Sequence, residues 1–377
     1  MSDSNRIDLE GSPKAIMSAV LNRIATGPEL SKDLSVQEAA AAMGLILKGR
    51  VDPVQAAVFL IALRMKRETD EENVGLMDAL RAQTTEITAP VDEIVDIADP
   101  YDGYLRCLPP SPFLPAVLAA TGVPAVSHGL ERVGPKSGVT HRQVLRAAGA
   151  PVDLTAREAA EHVADSRIGW AYVDQRMFCP SLHELVTLRD LIVKRSVLST
   201  LETLLGPIRA RAKTHLVTGY VHKPYARLYA LLARRSGFDS ALIIRGVEGG
   251  IIPSLRQTGA YVCYHDQGAE QTFEVNPSDL GISQNVRAAT HTDPSGPVNG
   301  DTDPDAPLDS AAAAGAAARL GLEALEGAKG PTRDGLVYAG ALSLHHVRRH
   351  ESLQTAADAI RRVLDNGAAL ARLTAGR

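Results

Sequence analysis

The chain has 377 residues, 45% of them hydrophobic and 4% aromatic, with 40 Lys and Arg against 44 Asp and Glu for a formal net charge of -4. That length can bury a large core and suggests two or three domains. The near-neutral charge excludes a global pull toward nucleic acid or anionic membrane, so any basic surface has to be local.

No stretch approaches the roughly 18 uninterrupted apolar residues of a membrane span. "MSDSNRIDLEGSPK" lacks the apolar core of a signal peptide. Cys107, Cys179 and Cys263 are scattered and odd in number, which fits a reducing cytoplasm better than a disulfide framework or a zinc site. A cytoplasmic protein with no membrane partner is expected.

The first ninety residues read as short amphipathic helices. Ser35-Val-Gln-Glu38 is a capping box, and Gly49 suits the C-cap of the helix it opens. "VDPVQAAVFLIALRMK" places Asp52 at the N-cap and Pro53 at the first helical position. Thr69 to Glu72 is a second capping box, ahead of "NVGLMDALRAQ".

After Pro90 the pattern alternates. "EIVDIAD" and "VPAVSHG" read as strands, "FLPAVLAATG" and "HRQVLRAAG" as helices. "LHELVTLRDLIVKRSVLSTLETLLGP" reads as about two dozen residues of helix. "THLVTGYVH", "SALIIRGVEG" and "GAYVCYH" are further β-rich runs. "THTDPSGPVNGDTDPDAPLDS" reads as an exposed loop, followed by helices beginning near Ala306, Thr332 and Ser352. The expected fold class is α/β: a small helical domain over residues 1–90, joined by helices of 182–206, and a large α/β domain over 91–377. Its central sheet is mainly parallel and flanked by helices.

Open parallel sheets bind ligands beyond the carboxyl ends of their strands, and three loops fall there. "DPYDGYLRC" offers Tyr101, Asp102, Gly103 and Arg106; "SHGLERVGPKSG" offers Ser127, His128, Gly129, Arg132, Lys136 and Ser137; "RGVEGGIIPS" offers Arg245 and Glu248. Glycines let backbone N–H groups approach an oxyanion, and basic side chains add donors, so a phosphate-bearing ligand suits the second loop. A surface loop with solvated charges suits it equally on the residues alone. A second basic concentration runs from Arg189 to Arg235. Lys194, Arg195, His222 and Lys223 lie in it, the last two directly after a strand. It reads either as solvated faces of several elements or as a site for a polyanion. "IGWAYVDQ" places Trp170 as packing, with Asp174 and Gln175 as cap or turn residues.

Several motifs, in order, resemble the anthranilate phosphoribosyltransferase family. "LSVQEAAAAMGLILKGRVDPVQAAVFLIALRMKRET" looks like its small helical domain. "SHGLERVGPKSG" is similar to its K-H-G-N-R…S-S-K-S-G loop, with His128, Gly129, Lys136, Ser137 and Gly138 matching. "LETLLGP" resembles its N-L-L-G-P-L, and "RDGLVYAGALSLH" its closing helices. The resemblance implies a homodimer through the helical parts and a cleft between domains. There Mg²⁺-bound phosphoribosyl pyrophosphate would lose pyrophosphate to an aromatic amine. The sequence departs where that chemistry sits. Pro100 and Tyr101 stand in the G-T-G-G-D pyrophosphate loop, Ser127 and Leu130 replace a lysine and an asparagine, and of the expected acidic metal pair only Glu248 remains nearby. The reading is a family member that binds a phosphorylated ribose or nucleotide, with pentosyl transfer altered or lost and Glu248 as the one candidate Mg²⁺ ligand. The alternative is a nucleic-acid-binding relative that uses a basic cleft.

Overall fold

Residues 6–27, 29–290 and 309–377 are described by a computed structural model. Helices α1 (Pro13–Ile24), α2 (Val36–Leu47), α3 (Pro53–Lys66) and α4 (Asp70–Arg81) open the chain. Both expected capping boxes form, with Ser35 and Thr69 accepting from the N–H groups of Glu38 and Glu72. The carboxylates also cross-link the helices. Glu38 accepts from Arg23 and from the Ile7 N–H, while Glu72 meets Lys66 at 2.8 Å and accepts from the Leu34 N–H. Asp52 caps α3 behind Pro53, and the apolar faces meet through Met17, Met43, Phe59, Leu60 and Leu76.

Nine strands follow among the described residues: β1 (Ile87–Thr88), β2 (Glu93–Ala98), β3 (Ala125–Gly129), β4 (Trp170–Asp174), β5 (Ile208–Arg209), β6 (Lys213–Tyr220), β7 (Ser240–Arg245), β8 (Gly259–His265) and β9 (Gln271–Val275). β1 and β5 pair alone. The other seven form one sheet in the order β4-β3-β2-β6-β7-β8-β9, parallel through β7, with β8 and β9 antiparallel. From β2 the chain winds outward to β4, and from β6 outward the other way. The switch point therefore lies between β2 and β6, and a crevice opens beyond their carboxyl ends. Alternate residues of β2 serve two cores: Val95 and Ile97 face the C-terminal helices, while Ile94 and Ala98 face the side of the N-terminal helices. The fold is a small helical domain beside a larger α/β domain with a mainly parallel sheet.

The long helix expected over 182–206 is broken. It consists of helices Pro180–His183, Val186–Ile192 and Leu198–Leu201 with a 3₁₀ turn, Glu202–Leu204. Val193 is left-handed at φ 58, which stops the second piece, and that piece packs on α3. C-terminal helices Ser310–Leu325, Pro331–His346 and Leu353–Asp365 start within a few residues of the expected positions, and Ala368–Ala375 adds a fourth. The Pro- and Asp-rich loop expected from Thr290 lies, past that residue, outside the described residues up to Asp309. Trp170 is a packing residue whose indole N–H donates to the Arg372 carbonyl at 2.9 Å.

Candidate functional site

Asp99, the residue after β2, is buried and collects four donors. The Tyr104 hydroxyl (2.7 Å), the Ser111 hydroxyl and His141 Nε2 (2.8 Å) reach one oxygen, and the Ile251 N–H (2.9 Å) the other. Burial opposes ionisation here, but the bonds from His141, Ser111 and Tyr104 outweigh it and hold the carboxyl below its usual range. One carboxylate thus ties the loops after β2, β3 and β7 together.

Those loops interlock closely. Tyr104 and Val139 exchange backbone hydrogen bonds at 3.0 and 2.8 Å, and the Gly138 N–H donates to the Asp102 carbonyl at 2.8 Å. Gly103 is left-handed at φ 74, and a Cβ there would stand 2.6 Å from the Gly138 carbonyl carbon. A Cβ on Gly250 would meet the Tyr104 hydroxyl at 1.7 Å. Only glycine permits either approach. A Cβ on Gly249 would lie 3.1 Å from Val221 and 3.9 Å from Pro100, which brings the loops after β2, β6 and β7 to one place.

At that meeting point three successive backbone N–H groups, those of Leu105, Arg106 and Cys107, converge on the carboxylate of Glu248 at 3.0, 2.8 and 3.0 Å. The Cys107 thiol adds a fourth donor at 3.1 Å, and the Lys136 ammonium stands 3.3 Å away, over the Tyr104 ring. Converging backbone N–H groups form an anion-binding concavity. Burial raises the Glu248 pKa, but the Leu105 N–H, Lys136, the Cys107 thiol and the Arg106 N–H bring it below the usual range. Glu248 itself is left-handed, at φ 53 and ψ 17.

The cation-binding role expected of Glu248 gives way on this geometry. A hard cation needs several oxygen ligands, and this carboxylate is ringed by donors. Asp99 is engaged by four donors, and Asp102 is held by Arg195 at 2.6 Å. The residues at this edge do not fit Mg²⁺.

The other sequence candidates divide. Lys136 joins Glu248, Arg106 contributes its backbone N–H, and Arg195 reaches the edge through Asp102. Gly103 shapes the interlocked loops. Ser137, left-handed at φ 48, spends its N–H on the Val133 carbonyl. Arg132 lies 3.7 Å from Asp190. His128 is not a loop donor. It is buried in β3 with Nε2 2.7 Å from Asp96 and Nδ1 bonded to the hydroxyl of buried Tyr101, so neither side chain reaches the ligand edge. Ser127 and Gly129 are buried beside it in the strand. Lys194, His222, Lys223 and Arg245 are exposed, and no ion pair holds them among the described residues.

The basic run from Arg189 to Arg235 is largely neutralised. Arg189 makes a buried pair with Glu202 at 2.6 Å, Arg209 meets Glu86 at 3.1 Å, and Lys213 meets Asp266 at 2.9 Å. Arg227 pairs with Asp70, Arg234 with Glu270 (2.7 Å) and Arg235 with Asp78 (2.5 Å). These residues serve several elements, as in the solvated-face reading. Sequence reasoning missed Asp99, His141 and the donors of residues 105–107. Backbone N–H groups carry no residue-type signal, and nothing in "PYDGYLRC" marks three of them as convergent.

Comparison with known proteins agrees with this architecture. Residues 18–84 match the helical bundle domain of a glycosyl transferase family, and residues 111–296 its α/β domain. The anthranilate phosphoribosyltransferase of Azorhizobium caulinodans is 29% identical over 361 residues, covering 94% of each chain. That of Rhodopseudomonas palustris (strain HaA2) is 28% identical over 362 residues, 94% of this chain and 96% of its own. Among solved structures, anthranilate phosphoribosyltransferase from Thermus thermophilus aligns with a TM-score of 0.71 at 19% identity, over 96% of this chain and 97% of that one. The Saccharomyces cerevisiae enzyme in complex with PRPP and Mg aligns at 0.75 and 17%, over 96% and 97%. The chain belongs to the anthranilate phosphoribosyltransferase family of glycosyl transferases.

Proposed function

We propose that this chain binds the phosphate of a phosphorylated ribose or nucleotide at the carboxyl edge between β2 and β7, without Mg²⁺. One observation carries the reading: the N–H groups of Leu105, Arg106 and Cys107, with Lys136, already enclose an anion, the side chain of Glu248. Glu248 is a tethered occupant that a phosphate displaces. Its left-handed backbone stores strain of about 1 kcal/mol. Exposed Arg106, Lys223 and Arg245, at the carboxyl ends of β2, β6 and β7, add positive charge to this edge. The yeast relative's complex with PRPP and Mg supports the ligand class. The residues that depart from the family pattern argue against metal-assisted loss of pyrophosphate in this chain.

Calorimetry with phosphoribosyl pyrophosphate tests the reading, in EDTA and in Mg²⁺. Heat of similar affinity in both supports it; no heat at millimolar ligand overturns it. Single-stranded DNA serves as the third arm. DNA binding that weakens steeply with salt, with no response to phosphoribosyl pyrophosphate, would favour the nucleic-acid reading despite the paired basic run.

We further propose a homodimer through the helical domain. Val54, Val58 and Met65 project from α3 at 71%, 41% and 78% exposure, beside exposed Leu191 and Val193. Val58 and Met65 line a groove of about 530 Å³ with Ile24, Ala57, Ile61 and Ile192, and apolar exposure of this kind marks an interaction surface. Sedimentation of a Val58→Asp, Met65→Asp variant as a monomer where the parent is a dimer supports it. A monomeric parent contradicts it.

A further inference from the structure

The opposite edge of the sheet, at the amino ends of the parallel strands, carries a second cluster. Register places His215, Ser240 and His265 in one row across β6, β7 and β8, and Cys263 lies two residues from His265 on the same face. His346, the last residue of the helix Pro331–His346, covers them. Cys263 and His346 are buried and His265 is half-buried. One ligand atom from each of these three lies within 4.8 Å of the others.

Proton accounting shows which atoms remain available. His265 Nε2 stands 2.9 Å from the His346 carbonyl, which only accepts, so Nε2 carries the proton and Nδ1 the lone pair. His215 Nε2 likewise donates to the Glu93 carboxylate at 2.8 Å. Where the Ser240 hydroxyl donates to His215 Nδ1 at 2.6 Å, its oxygen accepts from His346 Nε2 at 2.7 Å. The chain from Glu93 through His215 and Ser240 ends on His346 Nδ1, a ring nitrogen that is buried and has no hydrogen-bond partner among the described residues. Metal-binding histidines characteristically donate the other ring N–H to a carbonyl or another polar group, which fixes tautomer and ring orientation. Both histidines here do so.

We propose that Cys263, His265 and His346 form a binding site for a borderline divalent metal of the zinc type, with a water as fourth ligand. One sulfur and two imidazole nitrogens match zinc's ligand preference and exclude Mg²⁺ and Ca²⁺. Tetrahedral bonds of about 2.0–2.3 Å place ligand atoms about 3.3–3.6 Å apart. Side-chain rotations that close the cluster by about an ångström therefore complete the site. Binding releases the Cys263 thiol proton to solvent as the thiolate–metal bond forms. The site is separate from the phosphate edge and does not depend on that reading. Sequence spacing gave no sign of it, because Cys263 meets His346 only through the tertiary fold.

The test uses the full chain, reduced and stripped with chelator, then equilibrated with Zn²⁺ or Co²⁺ and desalted. One equivalent retained, with a thiolate-to-cobalt charge-transfer band and a rise in Tm on adding Zn²⁺, is the expected result. Cys263→Ser should abolish the band, and His346→Gln should lower affinity at least tenfold. Ser240→Ala, which leaves all three ligands in place, should weaken affinity by about tenfold. No retained metal in the parent protein, or equal retention and an equal band in Cys263→Ser, overturns the proposal.

Discussion

Glu248→Gln reverses sign between the two roles this residue could play. In the structure one carboxylate oxygen of Glu248 accepts from the Arg106 and Cys107 N–H groups and the thiol, while the other faces the Leu105 N–H and the Lys136 ammonium. Glutamine keeps the first set as neutral bonds and turns an NH₂ toward two donors on the other side. Bonds to a charged acceptor contribute about 1.5–3 kcal/mol against about 0.5–1.5 for neutral ones. The tether should therefore weaken by about 1.5–3 kcal/mol, with the exposed Leu105 end discounted for water. A ligand that must displace the tether gains in proportion to the fraction of open cradle, about tenfold to a hundredfold. Calorimetric titration of inorganic pyrophosphate in EDTA measures this directly. If Glu248 were a metal ligand, the same substitution would instead weaken binding, and only in Mg²⁺. An unchanged or weaker affinity in EDTA refutes the reasoning.

Tyr101→Phe removes the hydroxyl that closes on His128. It should cost about 1–2 kcal/mol in urea unfolding and leave pyrophosphate affinity unchanged, since neither ring reaches the edge. Arg189→Ala strands the Glu202 carboxylate in the interior, where both side chains are nearly inaccessible (3% and 1%). A loss of about 3–5 kcal/mol is expected from the urea midpoint, and Arg189→Met, Glu202→Leu together should recover much of it. Asp99 and Glu248 both titrate below the usual carboxylate range when folded. Their contribution is therefore complete above about pH 4–5. It is lost as pH falls through the depressed folded values, where the unfolded chain takes up protons first. Thermal midpoints should fall on acidification through that window, and the fall should be shallower in Glu248→Gln.

Much of the fold was legible because local rules and the global answer agree. The capping boxes at Ser35 and Thr69 start α2 and α4, and the alternation after Pro90 becomes β2, β3, β6 and β7 with their intervening helices. Where the chain carries two signals, local reading failed. Residues 182–206 have helical periodicity, yet the left-handed Val193 divides them. β9 has four exposed residues of five at a sheet edge and offers no apolar alternation to find. At the site, the sequence indicated which loops meet but not which side chains turn toward one another. His128 adjoins the glycine loop, yet β3 continues through Gly129, and the strand directs the ring inward to Asp96. Lys136 and Glu248 were found separately, one as a phosphate donor and the other as a metal ligand. Only the fold sets them 3.3 Å apart. The acids that neutralise Arg227 and Arg235 lie on α4, far away in sequence, and so the basic run read as more available than it is.

The central claim is that the Leu105–Cys107 cradle holds a phosphate once Glu248 leaves it. A crystal structure of the protein soaked with phosphoribosyl pyrophosphate in EDTA tests it most directly. The expected result is a phosphate oxygen within hydrogen-bond distance of the Leu105, Arg106 and Cys107 N–H groups, beside Lys136, with the Glu248 side chain turned out. Glu248 still seated in the cradle, with the ligand absent or bound elsewhere, would contradict the account.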